Sequence, residues 1–192
     1  MNPAAADDWL TRYSGEHLLH EFKMFWWLRE NIPPDDGYLH DAVVESFVLH
    51  LRNLIDFFYP RKTSQKTDVI ATDFMDNPGD WDSPTSVSAS LEAARGRADK
   101  ELSHLTDKRK YEGDPTKSWE TDALFAKIKS VAEKFAGKAS PKKLHTDVRE
   151  LLTSPTHLVV SVLAAHSHST NVTARDITGP VSNSTATWRK GP

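Results

Sequence analysis

The chain has 192 residues, 38% hydrophobic and 27% charged, with a formal net charge of −3 and no cysteine. The length suits one well-packed main domain, and the balance of apolar to charged residues excludes a chain that is disordered throughout. The small negative charge excludes capture of nucleic acid by overall charge, so any such contact has to come from a local patch; the missing cysteines exclude disulfides, thiolate zinc sites and cysteine nucleophiles.

Taken in chain order, Met1 to Leu10 lacks the basic start and apolar run of a secretory leader. The apolar stretches fall well short of the ~20 residues a membrane crossing needs. The expectation is a cytoplasmic protein with no membrane contact. Residues 15–30 read as a helix capped by Ser14, with Leu18, Phe22, Phe25 and Trp26 at three-to-four spacing, ended by Pro33 and Pro34. Trp9 and Tyr13 extend the pattern backwards, but Gly15 weakens that link. Residues 38–59 form the strongest helix, with the stripe Val43, Phe47, Leu51, Leu54 and Phe58 widened by Val44, Val48 and Ile55. A stripe that wide predicts a central place in a bundle.

Residues 61–86 read as a long polar loop with Asp68, Asp73, Asp76, Asp80 and Asp82, in which Val69, Ile70 and Phe74 anchor a short helical turn. A third helix is predicted over 87–110, with Leu91, Ala94, Ala98, Leu102 and Leu105 on one face. A fourth spans 119–136, capped by Ser118, with Gly137 in the left-handed position beyond its end. A fifth spans 141–152, with Ser140 as cap and Pro141 in its first turn. From Ser154 onwards the composition shifts to Ser, Thr, Asn and Gly around one apolar run, Leu158 to Ala165. The chain therefore divides into a main helical domain over 1–153 and an irregular, partly disordered C-terminal extension over 154–192.

Three groups of residues carry candidate chemistry. On the third predicted helix, Arg97 and His104 lie about 20° apart around the axis and about 10.5 Å apart along it, with Glu101 one turn before His104. Arginine matches a phosphate with fixed charge and a planar fork, and histidine moves protons near neutral pH. Together they suit metal-independent chemistry on a phosphodiester. The competing structural reading is a solvated helix face with an Arg97–Glu101 pair. On the second helix, Arg52 and Asn53 face the same neighbourhood as supporting ligand contacts, against a structural reading in which Arg52 pairs with Asp56 at an exposed edge. The third group is His17, His20, His50 and His104 with Glu21, Glu45 and Glu101. Only Glu101 and His104 have ligand spacing and no second pair accompanies them, so no metal ligand is assigned, although a metal-binding bundle stays open as an alternative. No phosphate loop or dinucleotide fingerprint is present, and no cofactor is expected. Trp26, Trp27 and Trp119 read as core or partner-facing.

The Arg97-x6-His104 segment on a late helix of a small bundle resembles the HEPN superfamily, over at most residues 15–137. That resemblance implies a helical bundle that acts on or binds RNA or nucleotides, many such proteins being metal-independent ribonucleases of defence and toxin systems. It implies a homodimer, with Arg97 on the scissile phosphate, His104 in proton transfer and the RNA 2′-hydroxyl as nucleophile. The resulting expectation is an all-α bundle of about five helices acting on RNA. A non-enzymatic protein-interaction module stands as the alternative from another class.

Overall fold

The three-to-four spacing of large apolar residues makes five helical rods in the computed structural model, which describes residues 3–34, 37–62, 67–81, 87–102, 107, 109, 114 and 117–153. No strand occurs among the described residues. The expected extension over 154–192 lies outside them. The first rod is continuous: α1 (Pro3–Tyr13), a π-helical turn (Ser14–Leu18) and α2 (Leu19–Glu30). Against it packs α3 (Tyr38–Phe58), followed by α4 (Ala89–Arg97) with its own π-helical turn (Ala98–Leu102), α5 (Thr121–Lys138) and the short α6 (Thr146–Thr153).

The core is aromatic. Phe22, Phe25, Phe47, Phe58, Phe74 and Phe135 are all buried to within 2% of complete. Phe25 stacks on Phe47 at 4.7 Å, joining α2 to α3. Phe135 of α5 is the hub: the rings of Phe57, Phe58, Phe74 and Trp81 lie 5.2–5.8 Å from it, and those in contact with one another are 5.0–5.9 Å apart, mostly edge to face. Such pairs add about 0.5–1.5 kcal/mol each beyond the area they bury.

Two of those rings come from the segment expected as a polar loop. It holds two 3-10 turns, Ala71–Phe74 and Pro78–Asp80, the first anchored as expected near Val69 and Ile70. Phe74, Met75 and Trp81 are buried, and Trp81 donates its indole N–H to the Phe58 carbonyl at 3.3 Å. The Ser140 amide donates to the Phe74 carbonyl at 2.8 Å, and Lys138 and Lys143 reach the carbonyls of Asp80 and Met75. The described part of this segment is thus a strap across the α5 end of the core.

Four predicted boundaries are corrected. Ser14 does not start a helix. It is fully buried, donates to the Thr11 carbonyl and accepts the His145 amide at 2.9 Å, which ties the π-turn to the approach to α6. Gly15 beside it marks a close contact rather than a helix end, because a Cβ there would stand 2.8 Å from the His145 ring. The third helix is regular only from Ala89 to Arg97, capped by Ser88 rather than running to residue 110. Gly137 lies inside the last turn of α5, which begins after Glu120 with no cap from Ser118. Residues 140–144 form a turn closed by the Leu144 amide on the Ser140 carbonyl, so α6 begins five residues later than Pro141 suggested. Arg149 of α6 closes the end of α5 by donating to the carbonyls of Ala136 and Ala139.

Candidate functional site

The first rod and α3 run side by side, and an open cleft of about 810 Å³ lies where the π-turn at Ser14–Leu18 meets the last turns of α3 and residues 67–70. Its polar lining is Tyr13, His17 and Glu21 from the first rod, Arg52, Asn53 and Asp56 from α3, and Arg61, Thr67 and Asp68 beyond it. The site's position follows from the apolar pattern. Burying Phe22, Phe58 and Leu54 in the core turns residues 17, 21, 52, 53 and 56 toward the seam between the helices.

Glu21 is held by α3. It accepts from His50 Nδ1 at 2.7 Å and, at longer range, from the Asn53 amide at 3.3 Å, while the His20 ring meets His50 edge-on at 6.0 Å. Burial pushes the Glu21 carboxyl upward. The hydrogen bond and charge of His50, then Asn53 and His20, outweigh it and leave the pKa below the ordinary value.

On the other side, the second π-turn supplies Asp99, which bridges two arginines. It accepts Arg52 Nε at 2.6 Å and pairs with an Nη of Arg61 at 2.8 Å. Asp56 in turn joins Arg61 to Arg95, and Arg95 also pairs with Glu92 and donates to the Tyr59 carbonyl. For Asp99, burial works upward and the two arginines work downward, with the net direction down. The α3–α4 seam is therefore a chain of alternating charges. The helical pair expected between Arg52 and Asp56 does not form, because each finds a better-placed partner on a neighbouring element.

The geometry separates the two arginines that the sequence singled out. Arg97 donates Nε and an Nη to the two oxygens of Glu101 at 3.0 and 2.9 Å, donates to the carbonyls of Lys117 and Ser118, and lies with Cζ 3.9 Å from the centre of the Trp119 ring. Each guanidinium nitrogen is committed to a protein acceptor, and Glu101 is mostly buried. The Arg97–Glu101 pair of the structural reading is present. The alignment of Arg97 with His104 assumed an unbroken α-helix, but a π-turn begins at Ala98, and His104 itself lies outside the described residues. Arg52 is the opposite case. Its Nε is anchored by Asp99, its side chain is 33% exposed on the cleft, and among the described residues its two terminal amino groups have no partner.

Tyr13 and Arg61 were not among the expected site residues, and His17 and Glu21 were singled out only in the histidine group weighed for metal binding. The i, i+4 spacing of Trp9, Tyr13 and His17 was a usable signal, hidden by taking Gly15 as a helix boundary. The Glu21–His50 contact joins residues 29 apart on two helices and leaves no local trace. Among the described residues, no three His, Asp or Glu side chains are grouped so that they could hold a metal ion. Also among them, no helix is long and apolar enough to cross a membrane. Of the tryptophans expected to be core or partner-facing, Trp26 is buried and Trp27 and Trp119 pack against the core. Among the described residues, the large apolar side chains that face solvent are Trp9, Tyr38, Leu39 and Leu49.

No family model, curated protein or solved structure matches the chain.

Proposed function

We propose that this helical bundle binds a phosphate-bearing ligand, a nucleotide or a segment of RNA, in the cleft between the first rod and α3. One observation carries the reading: Arg52 is fixed at Nε by Asp99 and lines the cleft with a third of its side chain exposed, and among the described residues its terminal amino groups donate no hydrogen bond. Anchoring one edge of a guanidinium removes much of its rotational freedom and leaves the fork that grips a phosphate bidentately. Asn53 beside Arg52 on α3 and His17 on the facing wall add polar groups to the cleft. Glu21, Asp56 and Asp68 make the cleft mixed in charge, so it takes one phosphate beside groups that donate hydrogen bonds rather than a run of phosphates. In this reading RNA is bound at Arg52, and Arg97 serves the fold.

The test is a titration of fluorescently labelled adenosine monophosphate and of labelled oligoribonucleotides, followed by anisotropy at low salt. Arg52→Gln keeps the side chain's length and removes its charge, and is expected to weaken both ligands about tenfold, equivalent to ~1.4 kcal/mol. Equal affinity of Arg52→Gln and wild type sinks the reading. RNA incubated in EDTA with wild type, Arg97→Ala and His104→Ala tests the cleavage expectation alongside. Cleavage by wild type alone moves the chemistry back to Arg97 and His104.

A further inference from the structure

Asp99 holds two guanidinium groups side by side. One of its oxygens accepts Arg52 Nε at 2.6 Å, and the other lies 2.8 Å from an Nη of Arg61. The width of one carboxylate therefore separates the two contacts, which arrive from inside α3 and from the segment that follows it. Both arginines line the cleft, and each leaves about a third of its side chain exposed. Among the described residues, neither Nη of Arg52 and only one Nη of Arg61 has a partner. Arg95 in the same charged seam is the contrasting case. It is buried, and Asp56, Glu92 and the Tyr59 carbonyl take up its amino groups. Arg52 and Arg61 are anchored by carboxylates and still reach the cleft.

We infer that Arg52 and Arg61, set together by Asp99, clamp the terminal phosphate of a phosphomonoester, carried either by a free nucleotide or by the phosphorylated end of an RNA strand. The inference rests on the phosphate reading of the cleft and narrows its ligand. Convergence selects a single phosphate. A strand bound along its backbone meets cations at intervals, near successive phosphates, whereas these two meet at one carboxylate. A second phosphate in the cleft would also face Glu21, Asp56 and Asp68. The number of oxygens selects a terminal phosphate. A monoester offers three oxygens to donors, and two guanidinium groups arriving from different directions can engage all three; an internal diester offers two. Charge limits the ligand further. Two arginines and one carboxylate leave a single positive charge, which suits one phosphate and disfavours a di- or triphosphate.

Calorimetric titrations compare adenosine monophosphate with its methyl phosphodiester, and a short RNA carrying a 5′-phosphate with the same strand ending in a 5′-hydroxyl. The proteins are wild type, Arg52→Gln, Arg61→Gln and Arg61→Lys, and circular dichroism melts check that each folds. The clamp predicts that wild type binds the monoester about tenfold more tightly than the diester, that Arg61→Gln abolishes this preference, and that Arg61→Lys, which returns the charge without the fork, restores part of it. A 5′-phosphate that strengthens RNA binding to the same degree supports the clamp with a strand end as its source. A preference confined to the mononucleotide supports it with the free nucleotide as its source. Equal binding of monoester and diester by wild type, or a preference that Arg61→Gln leaves intact, overturns the clamp; the phosphate site still stands if Arg52→Gln weakens both ligands. If Arg52→Gln weakens neither, the phosphate reading fails and the clamp fails with it. Wild-type protein that binds none of the four ligands overturns both.

Discussion

Two arginines of the same bundle illustrate how little a residue's identity says until its partners are known. Arg97 sits in a frame of four acceptors and an indole, and Arg52 has one anchor and an open fork. Carboxylates divide similarly: Glu21 and Asp99 are both partly buried, and in both the neighbouring donors and cations overcome burial and lower the pKa. A group whose folded pKa lies below its unfolded one adds stability above the unfolded pKa, and loses it as pH falls through the folded pKa. Stability is therefore expected to fall on acidification below the ordinary carboxylate range. Glu21→Gln and Asp99→Asn should each flatten that acid limb and lower stability at neutral pH, as read from urea midpoints at a series of pH values. An acid limb identical to wild type in both variants contradicts the assignment. Of these partnerships only one was readable from the sequence. The Arg97–Glu101 pair is local, at i, i+4, and was legible. Arg52–Asp99 and Glu21–His50 are set by how helices cross.

At the scale of the element, helix existence followed from spacing, and helix ends did not. The stripes through α2, α3 and α5 are long enough to fix type and buried face. At the break between the first two helical segments, contacts elsewhere had claimed both residues on which the boundary was placed. Ser14 looked like a cap and is buried under the turn before α6; Gly15 looked like a break and is a notch for His145. This gives a test of the notch. Gly to Ala inside a helix ordinarily stabilises by about 1 kcal/mol. Here Gly15→Ala should destabilise by roughly that amount, since the new methyl displaces the His145 ring. In a His145→Ala background the same change should become neutral or stabilising, a coupling that a double-mutant cycle measures directly. Additive effects of the two changes would show that the ring yields freely.

For the molecule as a whole, the all-α architecture was legible because apolar periodicity dominates it, but the extent of the core was not. Phe74 was singled out as the anchor of a short turn, but polar and acidic residues over 61–86 masked Met75 and Trp81, which are buried as Phe74 is; Phe74 and Trp81 pack on Phe135 with α3. Phe135 thereby joins three parts of the chain. Phe135→Ala is expected to lower stability by about 3–5 kcal/mol, and to release the strap and the helices in one transition. Trp81 fluorescence and far-ultraviolet circular dichroism should then report the same urea midpoint; separate midpoints would mean that the strap melts by itself. The cleft was only half visible from sequence for a related reason. Its α3 wall was singled out through Arg52 and Asn53, but the opposite wall depends on a turn that no periodicity announces.

That turn works as a gear between the two halves of the first rod. A π-helical turn carries one residue more than the α-helix around it, and one residue is worth about 100° of rotation. The bulge at Ser14–Leu18 therefore sets the angle at which α1 leaves α2. While Phe22 and Phe25 lock α2 into the core, the direction in which Trp9 and Tyr13 look is decided by a single inserted position. Loss of one residue there, at Glu16 for instance, leaves every core contact of α2 in place and swings the α1 rings away from the cleft.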